Sequence, residues 1–317
     1  MKVSIIDRFP SDFLQALSHR AVDFTYQPEL QREEILKILP DTEILIMNSK
    51  IQLDEEAIAK SPKLKMVLRA GVGMDHIDVD VLRSKGVRVH NTKGGNADAV
   101  GEHTLAMLLS LRHNLQRADQ EVRSFEWQRE PNRGREIGGK TIGIIGYGHT
   151  GKSVAQKLSG FQPRVLAYDK YLENYGDVYA EEASLEQIFL EAEILTMHVP
   201  LTSETHQWVN QSFLSQFNNP IWFLNLARGP IVHIPDLIHM LDKGKVVAAG
   251  LDVLPNEKFA TLTEEERSVY QQLFERENVI LSPHIGGWTF ESLGNINGML
   301  LDYVDDLLAH QGMSSAT

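Results

Sequence analysis

The chain has 317 residues, a formal charge of -12 and 42% hydrophobic residues, enough to bury two cores. Such acidity argues against nucleic acid and anionic membrane, which need clustered Lys and Arg to neutralise phosphate. With no cysteine, disulfides, thiol nucleophiles and Cys-based zinc sites are excluded, and no metal site is expected. The opening MKVSIIDRFPSDF is charged too early for a secretory signal. The longest apolar stretch, Thr104–Leu111, is far below spanning length, so a cytoplasmic protein is expected.

Residues 1–97 read as strands alternating with helices. Short apolar runs at Val3–Ile6, Ile44–Met47, Met66–Leu68 and Val87–Val89 predict strands, and Gln31–Ile38 and Asp54–Ala59 have helical spacing. Alternation at this pitch implies a parallel sheet covered on both faces. Arg69-Ala70-Gly71-Val72-Gly73 follows one run, and its close glycines suit either an anion-binding backbone or a tight turn. Asn91–Asn96 reads as a hinge. One long helix is predicted from Ala97 to Ser124, apolar over a broad face, followed by a polar, Arg-rich arm at Glu126–Gly139.

The stretch Thr141–Asp169 carries the most specific pattern. A strand around Ile142–Ile145 runs into Gly146-Tyr147-Gly148-His149-Thr150-Gly151, then an amphipathic helix, then a strand at Val165–Tyr168 ending in Asp169. Gly146 permits the tight turn, Gly148 admits a pyrophosphate to the backbone, and Gly151 lets helix and strand approach. The helix N-terminus offers unpaired N–H donors to phosphate. Asp169 stands where an acid accepts ribose hydroxyls and repels a 2′-phosphate, so NAD is expected rather than NADP, with Lys170 a small opening for the latter.

Beyond Asp169 the alternation resumes. Strands are predicted at Ile194–Val199, Ile221–Asn225, Val246–Leu251 and Val279–Leu281. Capping boxes begin helices at Ser184 and Thr263, and an amphipathic helix carrying Leu293, Ile296, Leu300, Val304 and Leu307 closes the chain. Ligands of doubly wound sheets bind past the carboxyl ends of strands, which singles out His198, Asn225, Arg228, Asp252, Glu257 and His284. Hydride transfer coupled to proton transfer needs an acid/base near neutrality, a cation for a carboxylate, and a carboxylate to orient the histidine. Arg228, Glu257 and His284 can fill these roles, but spacing alone equally allows a surface arginine, a solvated acid and a capping histidine. Nor does it choose among His90, His198 and His284.

Taken together, AGVGMDHID, NTKGGNADAVGEH, GYGHTG, HVPLTSET, NLARGPIV, GLDVLPNE and SPHIGGWT resemble the NAD-dependent D-2-hydroxyacid dehydrogenases over nearly the whole chain. The resemblance implies two doubly wound parallel-sheet domains flanking a cleft. Residues 1–97 plus 289–317 would form a flavodoxin-like substrate domain, and 98–288 a Rossmann cofactor domain with a dimerising helix and arm. It implies Arg228 as the substrate-binding arginine, His284 as acid/base and Glu257 as its partner. Gly71, Val72 and Gly73 would cradle the substrate carboxylate. Asp252 would contact the nicotinamide end, and His198, Val199, Pro200 and Ala227 would line the cofactor site with Gly146–Gly151 and Asp169. His149-Thr150 departs from the usual Arg-Ile, Leu226 replaces a small or polar residue, and Lys258 stands where proline is common.

Arg69 and Lys50 are similar in placement to phosphate-binding residues of short D-3-phosphoglycerate dehydrogenases, so 3-phosphoglycerate/phosphohydroxypyruvate is the expected pair, with hydroxypyruvate or glyoxylate the alternative. Asn48 stands where those enzymes often carry another arginine. Glu257 disfavours the formate-oxidising branch, whose histidine has a glutamine partner. An alternative of another class is an NAD-responsive dimeric binding protein similar to the C-terminal binding protein corepressors.

Overall fold

The computed structural model describes residues 2–20 and 22–314, with side chains through Ala309. Two compact units divide the chain, Met1–Asn96 with Phe290–Thr317, and Ala97–Thr289. In the first, β1 (Val3–Ile5), β2 (Phe24–Tyr26), β3 (Ile44–Met47), β4 (Met66–Arg69) and β5 (Arg88–Asn91) form a parallel sheet of order β2-β1-β3-β4-β5. The run Ile44-Leu45-Ile46-Met47 is apolar without alternation because both sheet faces are covered. Leu45 and Met47 meet Ile35, Ala57 and Leu82 on one face. On the other face, Ile44 and Ile46 meet Phe13, Leu17 and the helix Phe290–Ser314 through Leu300, Val304 and Leu307. Strand β2 escapes prediction because it is a partly exposed three-residue edge with no apolar run.

The second unit holds β6 (Thr141–Ile145), β7 (Arg164–Tyr168), β8 (Glu181–Glu182), β9 (Ile194–Met197), β10 (Ile221–Asn225), β11 (Val246–Leu251) and β12 (Val279–Leu281). All pair in parallel, in the order β12-β11-β10-β9-β6-β7-β8. From the central β6 the chain winds outward through β7 and β8, then returns to β9 on the other side. The strand order therefore reverses between β6 and β9, and a crevice opens there at the carboxyl ends of strands.

The helix predicted over 97–124 is two helices, Ala97–Arg112 and Leu115–Arg123. Asn114 separates them with φ +51°, a left-handed conformation that asparagine tolerates better than most residues. The apolar spacing runs on across the break, so periodicity alone could not reveal it. Among the described residues no helix is long and apolar enough to cross a membrane.

Candidate active site

The turn after β6 is built by backbone contacts that only glycine allows. Gly146 has φ +94°, and a Cβ there would lie 2.5 Å from the His198 carbonyl oxygen, just past β9. A Cβ on Gly151 would lie 2.1 Å from the Gly146 carbonyl oxygen, so the helix His149–Leu158 sits directly on the turn. At Gly148 nothing lies within 4 Å of a Cβ position. Two glycines thus serve packing, while the third leaves the backbone open at the N-terminus of a ten-residue helix. Such a helix end, with no side-chain cap, is suited to a pyrophosphate.

Asp169 closes the other side of the crevice. Its Oδ2 accepts from the Tyr147 N–H at 2.9 Å and its Oδ1 from the Tyr171 N–H at 3.0 Å, which fixes the carboxylate while leaving lone pairs for ribose hydroxyls. The Lys170 ammonium is tied to Glu204 at 2.5 Å, so the cation that left room for a 2′-phosphate already has a counter-charge. Gly146, Gly148, Asp169, His198, Val199 and Pro200 line one cavity of about 440 Å³. Burial pushes the His198 imidazole down to about 3 and keeps it neutral. Its Nε2 meets Thr196 Oγ1 at 2.9 Å, and its buried Nδ1 has no partner among the described residues. The residues present fit a dinucleotide. Tyr147 presents only its backbone to this region, because its fully buried ring bonds Asp177 at 2.9 Å through its hydroxyl.

The acid/base candidates follow β10, β11 and β12. His284 Nδ1 lies 2.9 Å from Glu257 Oε2, with side chains 46% and 44% exposed. His284 has φ +56°, and its N–H donates to the Asp252 carbonyl at 2.8 Å. Asp252, 2% exposed, anchors this loop. Its Oδ1 accepts from Ser282 Oγ at 2.5 Å and the Ile285 N–H at 2.9 Å, and its Oδ2 from the Gly286 N–H at 2.8 Å. His103 Nε2 reaches Ser282 Oγ at 2.9 Å. Tyr270 steadies the Glu257 side, its hydroxyl accepting from the Asn256 N–H at 2.8 Å.

Arg228 and Ala227 ride on a turn clamped by the buried Asn225. That amide accepts from the Ala227 N–H at 3.1 Å and donates to the Arg228 carbonyl at 2.9 Å. A Cβ on Gly229 would lie 2.0 Å from the Leu254 carbonyl carbon, so the arginine loop packs directly on the loop that leads to Glu257. Leu226, unusual by resemblance, is 6% exposed and joins the core. Ser282, His103 and Tyr270 were not singled out from sequence. Ser282 and His103 do lie inside SPHIGGWT and NTKGGNADAVGEH, but their spacing gives no hint that they meet.

In the first unit, Gly71 follows β4 with φ +138°, and its N–H already donates to the Arg69 carbonyl at 3.0 Å. Among the described residues no carbonyl accepts from the Val72 or Gly73 N–H, so the open donors of this turn are those two. Asn91 Nδ2 holds the turn through the Val72 carbonyl at 2.6 Å. The Arg69 guanidinium lies over Gly71, where any Cβ would collide with it, and its Nη1 donates to the Ala70 carbonyl at 3.0 Å. The Lys50 ammonium donates to the Pro28 carbonyl.

Residues 105–286 match the family model described as D-isomer specific 2-hydroxyacid dehydrogenase, NAD binding domain. A hydroxypyruvate reductase of Thermotoga maritima is 30% identical over 303 residues, covering 96% of this chain and 97% of that one. A D-3-phosphoglycerate dehydrogenase of Mycobacterium bovis is 34% identical over 292 residues, 92% of this chain but 53% of the relative, so the chain spans about half its length. The crystal structure of a D-lactate dehydrogenase from Aquifex aeolicus, complexed with NAD and lactic acid, superposes with a TM-score of 0.85 at 26% identity, covering 98% of this chain and 96% of that one. The chain belongs to the D-isomer specific 2-hydroxyacid dehydrogenase family and is an NAD-dependent oxidoreductase.

Proposed function

We propose that this enzyme interconverts a D-2-hydroxy acid and its 2-keto acid, with His284 as acid/base, Glu257 as its partner and Arg228 as the substrate-binding cation. The observation that carries this reading is the 2.9 Å contact between His284 Nδ1 and Glu257 Oε2. With Nδ1 so engaged, the ring keeps one orientation and Nε2 is left for a substrate oxygen. From that position the ring donates a proton to a keto acid when protonated and takes one from a hydroxy acid when neutral. When bound, NAD supplies the hydride acceptor or donor. Gly148, the first turn of the helix His149–Leu158 and Asp169 would hold it, with His198, Val199 and Pro200 on the adenosine side. Arg228 offers a planar fork that binds a carboxylate or polarises a carbonyl. In the first unit, the N–H groups of Val72 and Gly73 are suited to a carboxylate, which makes residues 1–97 with 289–317 the substrate-binding part and 98–288 the cofactor-binding part.

Phosphohydroxypyruvate is the proposed keto acid, because the Arg69 guanidinium stands beside those donors. Hydroxypyruvate is the second reading. It is favoured by the engagement of Lys50 with Pro28 and by the near-complete mutual coverage with the Thermotoga maritima enzyme. Comparing kcat/KM for phosphohydroxypyruvate, hydroxypyruvate and glyoxylate separates them. Arg69→Ala should lower only the first, by about ten- to a hundred-fold, the worth of a charge-assisted hydrogen bond. Equal losses on all three would remove the phosphate assignment. Tight NADH binding with no turnover of any keto acid would favour the NAD-responsive binding protein.

We also propose a cytoplasmic homodimer. Leu115, Val122, Phe125 and Trp127 leave 53%, 51%, 100% and 78% of their surface exposed on the second short helix and the arm, a concentration of apolar surface suited to a second copy. A purely monomeric sedimentation profile would overturn that assignment.

A further inference from the structure

A second cavity of the cofactor-binding unit, of about 200 Å³, lies at the edge of the seven-stranded sheet opposite the glycine turn. Trp222, Val247 and Ile280, near the amino ends of β10, β11 and β12, form its floor, whereas the dinucleotide crevice lies beyond the carboxyl ends of β6, β7 and β9. Four arginines line it, Arg112, Arg117, Arg133 and Arg135, in a chain whose net charge is -12. Two of them carry their own counter-charges. Arg117 lies 3.7 Å from Glu121 and 3.8 Å from Glu277, and Arg133 lies 2.7 Å from Glu130.

The other two do not. Among the described residues no carboxylate lies within 4.0 Å of the Arg112 or Arg135 guanidinium. Arg112 is 3% exposed, stacked 4.9 Å from the centre of the Trp222 ring. Its Nε donates to the Arg135 carbonyl at 3.1 Å and its Nη2 to the Glu136 carbonyl, while Nη1 has no acceptor among the described residues. Carbonyl dipoles hold the plane of the group, and the one acid that acts on its charge, Glu193, does so without touching it and is itself paired with Lys140 at 3.0 Å. Burial first, opposed by Glu193 and helped by the like charge of Arg135, holds the guanidinium below the usual arginine range. A desolvated cation with no carboxylate in contact is costly, and an anion that pairs with it would lower that cost.

We propose that this cavity binds a small dianion, of which inorganic phosphate is the simplest, between the guanidiniums of Arg112 and Arg135. The walls are set before the ligand arrives. The Arg135 N–H donates to the Arg112 carbonyl at 2.8 Å, and a Cβ on Gly134 would lie 2.7 Å from His113 Nδ1, so the arm is packed against the end of the helix Ala97–Arg112. The Arg135 fork and the Nη1 of Arg112, on a preformed frame, are donors for phosphate oxygens.

The test is calorimetric titration of inorganic phosphate into the full chain in an Arg69→Ala background and saturated with NADH, so that neither the proposed substrate-phosphate site nor the pyrophosphate site takes up phosphate, at ionic strength held constant with chloride. The expected result is saturable binding at one site per chain, weakened about ten-fold or more in Arg135→Ala, with NADH affinity unchanged because Arg135 is an exposed residue remote from the glycine turn. Arg112→Lys, which keeps the charge but loses the fork and the stacking, should weaken phosphate similarly. No saturable heat, or equal phosphate affinity in Arg135→Ala and the chain that keeps Arg135, would overturn the proposal. So would a chain that ignores phosphate but whose sedimentation coefficient falls with Arg135→Glu, since an acidic group of a second copy would then fill the cavity.

Discussion

Asp252 shows how one buried carboxylate can hold the whole loop that carries His284. It accepts three hydrogen bonds from Ser282, Ile285 and Gly286, and its own carbonyl receives the His284 N–H. These bonds hold His284 in a left-handed conformation, which costs a non-glycine residue of order 1 kcal/mol or more. The nicotinamide contact that resemblance assigns to Asp252 would have to use what lone pairs remain. Asp252→Asn turns one acceptor into a donor facing an N–H or hydroxyl, leaving a buried group unsatisfied at about 1–3 kcal/mol. We expect the midpoint of thermal unfolding to fall and kcat to drop about a hundred-fold with little change in NADH affinity. A variant with normal kcat would mean the loop is held by other contacts. Glu257→Gln isolates the charge instead: an acceptor for His284 Nδ1 remains, but the imidazolium loses its counter-ion. Keto-acid reduction should slow about ten-fold or more in steady-state kinetics with folding intact, and an unchanged rate would show that Glu257 only orients the ring.

At the scale of elements, the glycine turn separates folding from binding. Gly151→Ala sets a methyl 2.1 Å from a backbone oxygen, so strand and helix must part, at about 1–3 kcal/mol of strain. Gly148→Ala meets nothing within 4 Å in the protein itself. Its methyl would therefore obstruct only a bound pyrophosphate. Calorimetry and NADH fluorescence titration should show Gly151→Ala losing both stability and affinity, and Gly148→Ala losing affinity alone. Equal destabilisation of both would mean that the turn at Gly148 is also packed. Elements of this kind were legible in the sequence because each leaves a local trace. Ile142–Ile145 is a buried strand between glycines, Thr263 and Glu266 form the expected capping box, and the closing helix buries Leu300, Val304 and Leu307. What escaped has no local trace. Strands β2 and β8 are short, exposed edges with no apolar run, and the break at Asn114 interrupts the backbone without interrupting the apolar period.

The same divide holds for the whole molecule, where burial decides what each titratable group does. His90, His198 and His284 all follow strands and look alike as a pattern. Packing separates them: His90 lies against the Tyr303 ring at 4.6 Å, His198 stands in the wall of the dinucleotide cavity with its imidazole held neutral by desolvation, and His284 keeps its carboxylate. The consequence for stability has a definite sign. Burial lowers His198 to about 3, and lowers His76 and His90 as well, while an unfolded chain returns each to about 6.5. Above that value neither state is protonated and the histidines contribute no pH dependence. As pH falls below it, the unfolded chain takes up protons that the folded chain refuses, so stability declines, by up to about 1.4 kcal/mol per pH unit for His198. Carboxylates held low by their partners, such as Glu43 at about 2 beside Lys65, add their own loss only below about 4.3. The interval from pH 7 to pH 5 therefore reads the histidines. Urea unfolding of the cofactor-free protein should give a falling midpoint across it, with a shallower fall in His198→Asn whatever that variant's stability at pH 7. Parallel slopes in the two proteins would show that His198 is reached by water and titrates freely in the folded state.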